Sequence, residues 1–144
     1  MISVVSVLLF PGCCTNRQQN TQVLQEDLLD SGIFLKTLTF VDAGDLTKAR
    51  NVGSLPIFMN LGAYEFCMSR GLASFTSEEQ FEWEQLARNT LDYMLKHSGE
   101  WDLRKPDVRS GIRGLRYILR TSGDLTRLQQ LDDFVKDTGV SADK

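Results

Sequence analysis

Two adjacent cysteines, Cys13 and Cys14, follow the apolar run Val4 to Phe10 and its Pro11-Gly12 terminator, and lead into Thr15-Asn16-Arg17. Three chemistries use such a feature: a secretion or lipid-attachment signal, a metal site, or a thiol held at a strand-to-helix corner. The first needs a cationic stretch ahead of the apolar one, and Met1 to Phe10 contains no Lys or Arg. Pro11 also occupies the place where a lipobox wants a small residue. Metal binding wants closely spaced ligands, but Cys67 and His97 are distant from the pair and form no C-x-x-C or H-x-x-x-H spacing. The third chemistry is left. A thiol at a helix N-terminus meets unpaired backbone N–H groups and the positive end of the helix dipole, so its pKa falls and the thiolate is populated near neutral pH. Cys13 is the candidate nucleophile, Cys14 resolves or tunes it, and Arg17 lowers the thiol pKa or binds an anionic substrate. A register centred on Cys14 fits equally well. A direct bridge between the two would join α-carbons about 3.8 Å apart, closer than comfortable disulfides prefer, and would serve as a switch rather than a staple.

A second chemical feature lies near the other end. Arg109, Arg113, Arg116 and Arg120 recur at helical spacing, beside an apolar stripe of Val108, Ile112, Leu115 and Leu119. Such a row grips phosphates or an acidic protein surface, unless Asp102, Asp107, Asp132 and Asp133 balance it as an ordinary solvated face.

The chain that must position these groups has 144 residues, enough for one ordinary domain with an appendage, and is 42% hydrophobic. A net charge of −3 gives no global attraction to nucleic acid or anionic membrane, so nucleic acid and membrane are not expected as partners. Three cysteines build no disulfide framework, which points to a reducing, cytoplasmic setting.

Along the chain, residues 3–10 read as a buried strand, Thr15 to Asp30 as a helix ended by Ser31-Gly32, and Ile33 to Val41 as a second strand. A short helix over Asp45 to Asn51 leads to Leu55 to Asn60, a strand entered through proline. A turn at Leu61-Gly62-Ala63 then makes Tyr64 to Met68 its antiparallel partner. Thr76 or Ser77, with Glu79 or Gln80 three residues on, opens a helix that runs to His97. Helices over 107–121 and 124–138, with Asp124 as N-cap, form a hairpin. Trp83 and Trp101 read as packing residues, and Cys67 as a small buried hydrophobe.

This order resembles the thioredoxin/glutaredoxin superfamily, over about residues 3–97. The likeness rests on the buried first strand, the cysteine-bearing loop and the strand entrance Val52-Gly53-Ser54-Leu55-Pro56, with Pro56 placed 43 positions after Cys13. The resemblance implies an α/β, thioredoxin-like three-layer fold with a four-stranded mixed sheet over 1–98 and a helical hairpin extension over 99–144. It also implies a cis Leu55–Pro56 bond beside the reactive sulfur, with the Leu55 backbone free to pair with substrate. Asn16 stands where the second cysteine of Cys-x-x-Cys would be, so the expected activity is a monothiol, glutaredoxin-like thiol–disulfide oxidoreductase. It would act on a protein disulfide or on glutathione as co-substrate, with no bound cofactor or metal. The other expectation is a redox-inactive interaction module on the same fold, compatible with a viral or mobile-element protein. In that reading the arginine row of the hairpin, Arg109, Arg113, Arg116 and Arg120, docks onto an acidic or nucleic-acid-bearing partner.

Overall fold

The computed structural model describes residues 21–25, 28, 30–32, 35, 38, 41 and 47–138. Among them every regular element is a helix, with no strand or sheet. Helix α1 spans Thr47–Ser69, α2 Ser77–Lys96, α3 Pro106–Thr121 and α4 Leu125–Asp137, with a 3-10 turn at Ser98–Glu100 between α2 and α3. The described positions between 21 and 41 are helical as well.

The four-stranded mixed sheet, and with it the thioredoxin-like fold, is therefore corrected. Leu35, Leu38 and Val41, expected in a strand, are helical, and Leu55–Asn60 and Tyr64–Met68 both belong to α1. The expected turn at Leu61-Gly62-Ala63 is the middle of that helix. No peptide bond is cis among the described residues, so Pro56 is a trans proline inside a helix and not a corner. The physical reason lies in the pattern: Leu55 to Met59 is a continuous apolar run, which a buried strand and a buried helix share. What separates them is the burial of Ser54, Ile57, Phe58, Leu61 and Tyr64, which stand at i, i+3, i+4, i+7 and i+10 and so lie on one face of a helix.

The remaining helices begin and end where local signals put them. Thr76 caps α2 in a reciprocal box: its hydroxyl accepts from the Glu79 amide at 3.3 Å while the Glu79 carboxylate accepts from the Thr76 amide at 2.7 Å. His97 closes the same helix. Pro106 opens α3, where its missing N–H costs no hydrogen bond. Gly123, at φ +75°, makes the tight link to α4, and the Asp124 side chain caps α4 through the Arg127 amide.

One hydrophobic core runs through all of these elements, with Leu24, Leu28, Leu35 and Leu38 also part of it. Its closest helix pair is α1 with α3. Gly111 of α3 lies over Phe58 and Gly114 over the backbone of Leu61, while Gly62 of α1 faces Ser110. The two helix backbones meet because these positions carry no Cβ. Trp83, fully buried, packs at 4.5 Å against Tyr64 with the ring planes tilted by 40°, and Trp101 meets Phe58 edge-on at 5.4 Å with its indole N–H donating to the Met94 carbonyl. Cys67 is partly buried against this core. Asn60, buried in α1, donates to Ser31 Oγ at 2.7 Å and so ties the first helical residues to it.

Candidate functional site

Cys13, Cys14 and Arg17 lie outside the described residues. Leu55 and Pro56, the expected substrate-presenting pair, sit within α1, where the backbone of Leu55 is part of the helix rather than a free edge. The side chain of Leu55 is exposed. The described residues therefore place no substrate-pairing strand at this point.

The arginine row is where its spacing puts it. At 100° per residue the buried residues of α3, Val108, Gly111, Ile112, Gly114, Leu115, Ile118 and Leu119, occupy one side of the helix. Arg109, Arg113, Arg116 and Arg120 share a narrow stripe on the other. The four are not equivalent. Arg116 turns onto α4, where Nε and Nη2 donate to Asp132 Oδ1 at 2.9 and 2.7 Å. Arg113 and Arg120 are exposed and Arg109 is half-buried. None of these three has a carboxylate within ion-pair reach among the described residues, and Arg113 reaches only Ser110 Oγ at 3.5 Å.

Of the acids expected to balance the row, only Asp132 does so. Asp102 accepts from the Arg104 amide, and Asp133 accepts from Gln129. From Arg109 to Arg120 the stripe extends about 16 Å along the axis at 1.5 Å per residue. Arg104 and the N-cap Lys105, both exposed, prolong it toward the helix N-terminus, whose partial positive charge adds to theirs.

A second feature gives no sign of itself in the sequence. Where the C-terminal ends of α1 and α3 meet the N-terminal half of α2, a partly enclosed cavity of about 110 Å3 opens between Tyr64, Gln80, Glu84 and Tyr117. Tyr64 is buried, and its pKa is pushed up to about 12, first by burial and then by the proximity of Tyr117 and Glu84. Only the tertiary packing brings these groups together, because they come from three helices and share no local spacing.

No group of His, Cys, Asp and Glu suited to a metal ion occurs among the described residues, and no helix there is long and apolar enough to cross a membrane. Comparison of the chain with protein-family models, with curated proteins and with solved structures finds no match. The class these observations define is a helical protein with a cationic face on α3.

Proposed function

We infer that this chain is a helical interaction module that docks an acidic segment of a protein partner on the stripe of Arg109, Arg113 and Arg120. The observation that carries the reading is the division of labour within the row: Arg116 is committed to Asp132, while Arg109, Arg113 and Arg120 have no acid partner among the described residues. Guanidinium groups engage carboxylates with two parallel hydrogen bonds, and a row of them at steps of four and seven residues matches a partner that repeats its acids at helical spacing. The overall charge of −3 favours a short acidic protein segment over nucleic acid, since long-range attraction to a polyanion needs a basic surface larger than one stripe. The oxidoreductase reading loses the sheet and the proline corner that it required, and nothing in the described residues replaces them.

The test is titration of a helical peptide carrying Glu at i, i+4 and i+11 into the chain at low and high salt. Binding that weakens with salt, and falls about tenfold or more in Arg109→Ala/Arg113→Ala/Arg120→Ala, is the expected result. Equal binding by that triple variant sinks the reading, as does tighter binding of a duplex nucleic acid than of the peptide.

A further inference from the structure

We propose that the acidic segment received by the arginine stripe is α4 of a second copy of this chain, laid antiparallel to α3. The inference rests on the stripe being a face for carboxylates, as above, and adds which carboxylates it takes. Asp133 and Asp137 are both exposed and stand one turn apart on α4. They edge an open groove of about 560 Å3 between α4 and the end of α2, with Leu95 and Phe134 in its lining. Asp133 accepts from Gln129 at Oδ1 over 2.8 Å, and Asp137 has no ion pair among the described residues. Lys136 of the same helix does not line the groove.

These acids are turned away from the arginines of their own chain. Asp132 is where α4 meets the stripe, through Arg116. At 100° per residue Asp133 and Asp137 lie about 100° and 140° further round α4, beside the end of α2. The basic face and the acidic groove therefore stand on different sides of the α3–α4 hairpin, and their charges meet only between copies.

The spacing of the two faces agrees. Arg109 and Arg113 are four residues apart, as are Asp133 and Asp137, so each pair spans about 6 Å along its axis and turns by about 40°. With the helices antiparallel, Arg113 meets Asp133, Arg109 meets Asp137, and Arg120 comes opposite the exposed Thr126, whose hydroxyl is an acceptor. The poles agree as well. The N-terminal end of α3, with Arg104 and Lys105, comes to lie beside the C-terminal end of α4, where the partial negative charge of that helix is. A parallel arrangement sets like poles together and carries Arg120 past the end of α4. In the antiparallel one the aliphatic stems of the arginines cover Leu95 and Phe134 while their heads take the carboxylates. Stripe and groove are different surfaces, so the contact is heterologous, and each pair of copies keeps one of each for a further copy unless the rotation closes a ring.

The full-length chain is followed by sedimentation velocity over a wide range of concentration at low and high salt. Mass that rises with concentration and falls with salt is expected. Arg109→Gln/Arg113→Gln/Arg120→Gln removes the stripe, Asp133→Asn/Asp137→Asn removes the acids, and each variant with unchanged helix content should associate about tenfold or more weakly. An equimolar mixture of the two should recover a one-to-one complex that grows no further, because one variant keeps the groove and the other the stripe. A parent that stays monomeric throughout overturns the proposal, as does association unchanged in both variants, or a mixture that associates no better than either variant alone. The acidic helical peptide tells the two readings apart: its capture by the stripe of a monomeric chain removes the self-docking and leaves the carboxylate-binding face standing, whereas a monomeric chain that also ignores the peptide removes both.

Discussion

At Gly111 and Gly114 a single methyl group decides whether α1 and α3 meet. A Cβ on Gly111 would lie 2.8 Å from the α-carbon of Phe58, and one on Gly114 would strike the Leu61 carbonyl oxygen, and in neither case can a flexible side chain swing away. Alanine gains about 1 kcal/mol of helix propensity over glycine, but forcing the backbones apart costs more. Gly111→Ala and Gly114→Ala should each lose about 2–3 kcal/mol, seen as a lower urea midpoint at unchanged slope, whereas Gly99→Ala, with open space around it, should be nearly neutral. Two titrating groups give pH signatures of opposite sign. Burial raises the Asp124 pKa, but the Arg88 hydrogen bond at 3.0 Å, the Arg127 amide and both guanidinium charges outweigh it and hold the group below its ordinary value. Its contribution is present above the ordinary carboxylate range and is lost as pH falls through the depressed native value. Asp124→Asn should therefore be weaker than the parent at neutral pH, and the difference should shrink below about pH 4. Tyr64, raised to about 12, contributes in its neutral form below the ordinary tyrosine value of 10.0 and loses that contribution as pH climbs from there to 12. Tyr64→Phe should flatten the alkaline limb of the stability curve.

At the scale of the element, Pro56 is the sharpest discriminator. In a helix interior proline removes one backbone hydrogen bond and crowds the preceding turn, at about 3 kcal/mol. Pro56→Ala in α1 should accordingly raise the melting temperature by several degrees. A corner proline in a sheet protein would give the reverse, a loss of stability on replacement. Capping is the second test at this scale. Thr76→Ala breaks the reciprocal box with Glu79 and should cost about 1 kcal/mol, read by thermal melting at 222 nm in far-UV circular dichroism, a wavelength conventional for helix.

For the whole molecule, the shared core of α1 to α4 predicts one cooperative transition in which buried Trp83 and the backbone signal report the same midpoint. Truncation to residues 1–98 should leave Phe58 and Leu61 without the helix that covers them and abolish cooperative melting. Much of this was legible in the sequence. The starts of α2 and α4 follow from Thr76 and Asp124, which act on their own neighbours, and the arginine stripe follows from its spacing alone. The stretch 47–69 was not legible. Apolar residues lie nearly all round it, so it has no period to read, and Pro56 and Gly62 looked like a strand entrance and a turn. Only the packed neighbour helix shows that Gly62 and Gly111 are contact glycines, that Asp132 takes Arg116 and no other arginine of the row among the described residues, and that Tyr64, Glu84 and Tyr117 share one cavity. Sequence by itself determined what depends on hydrogen bonds and periodicity within a few residues. Tertiary structure decided what depends on the surface across the gap, because burial and pairing are properties of two elements and are written in neither alone.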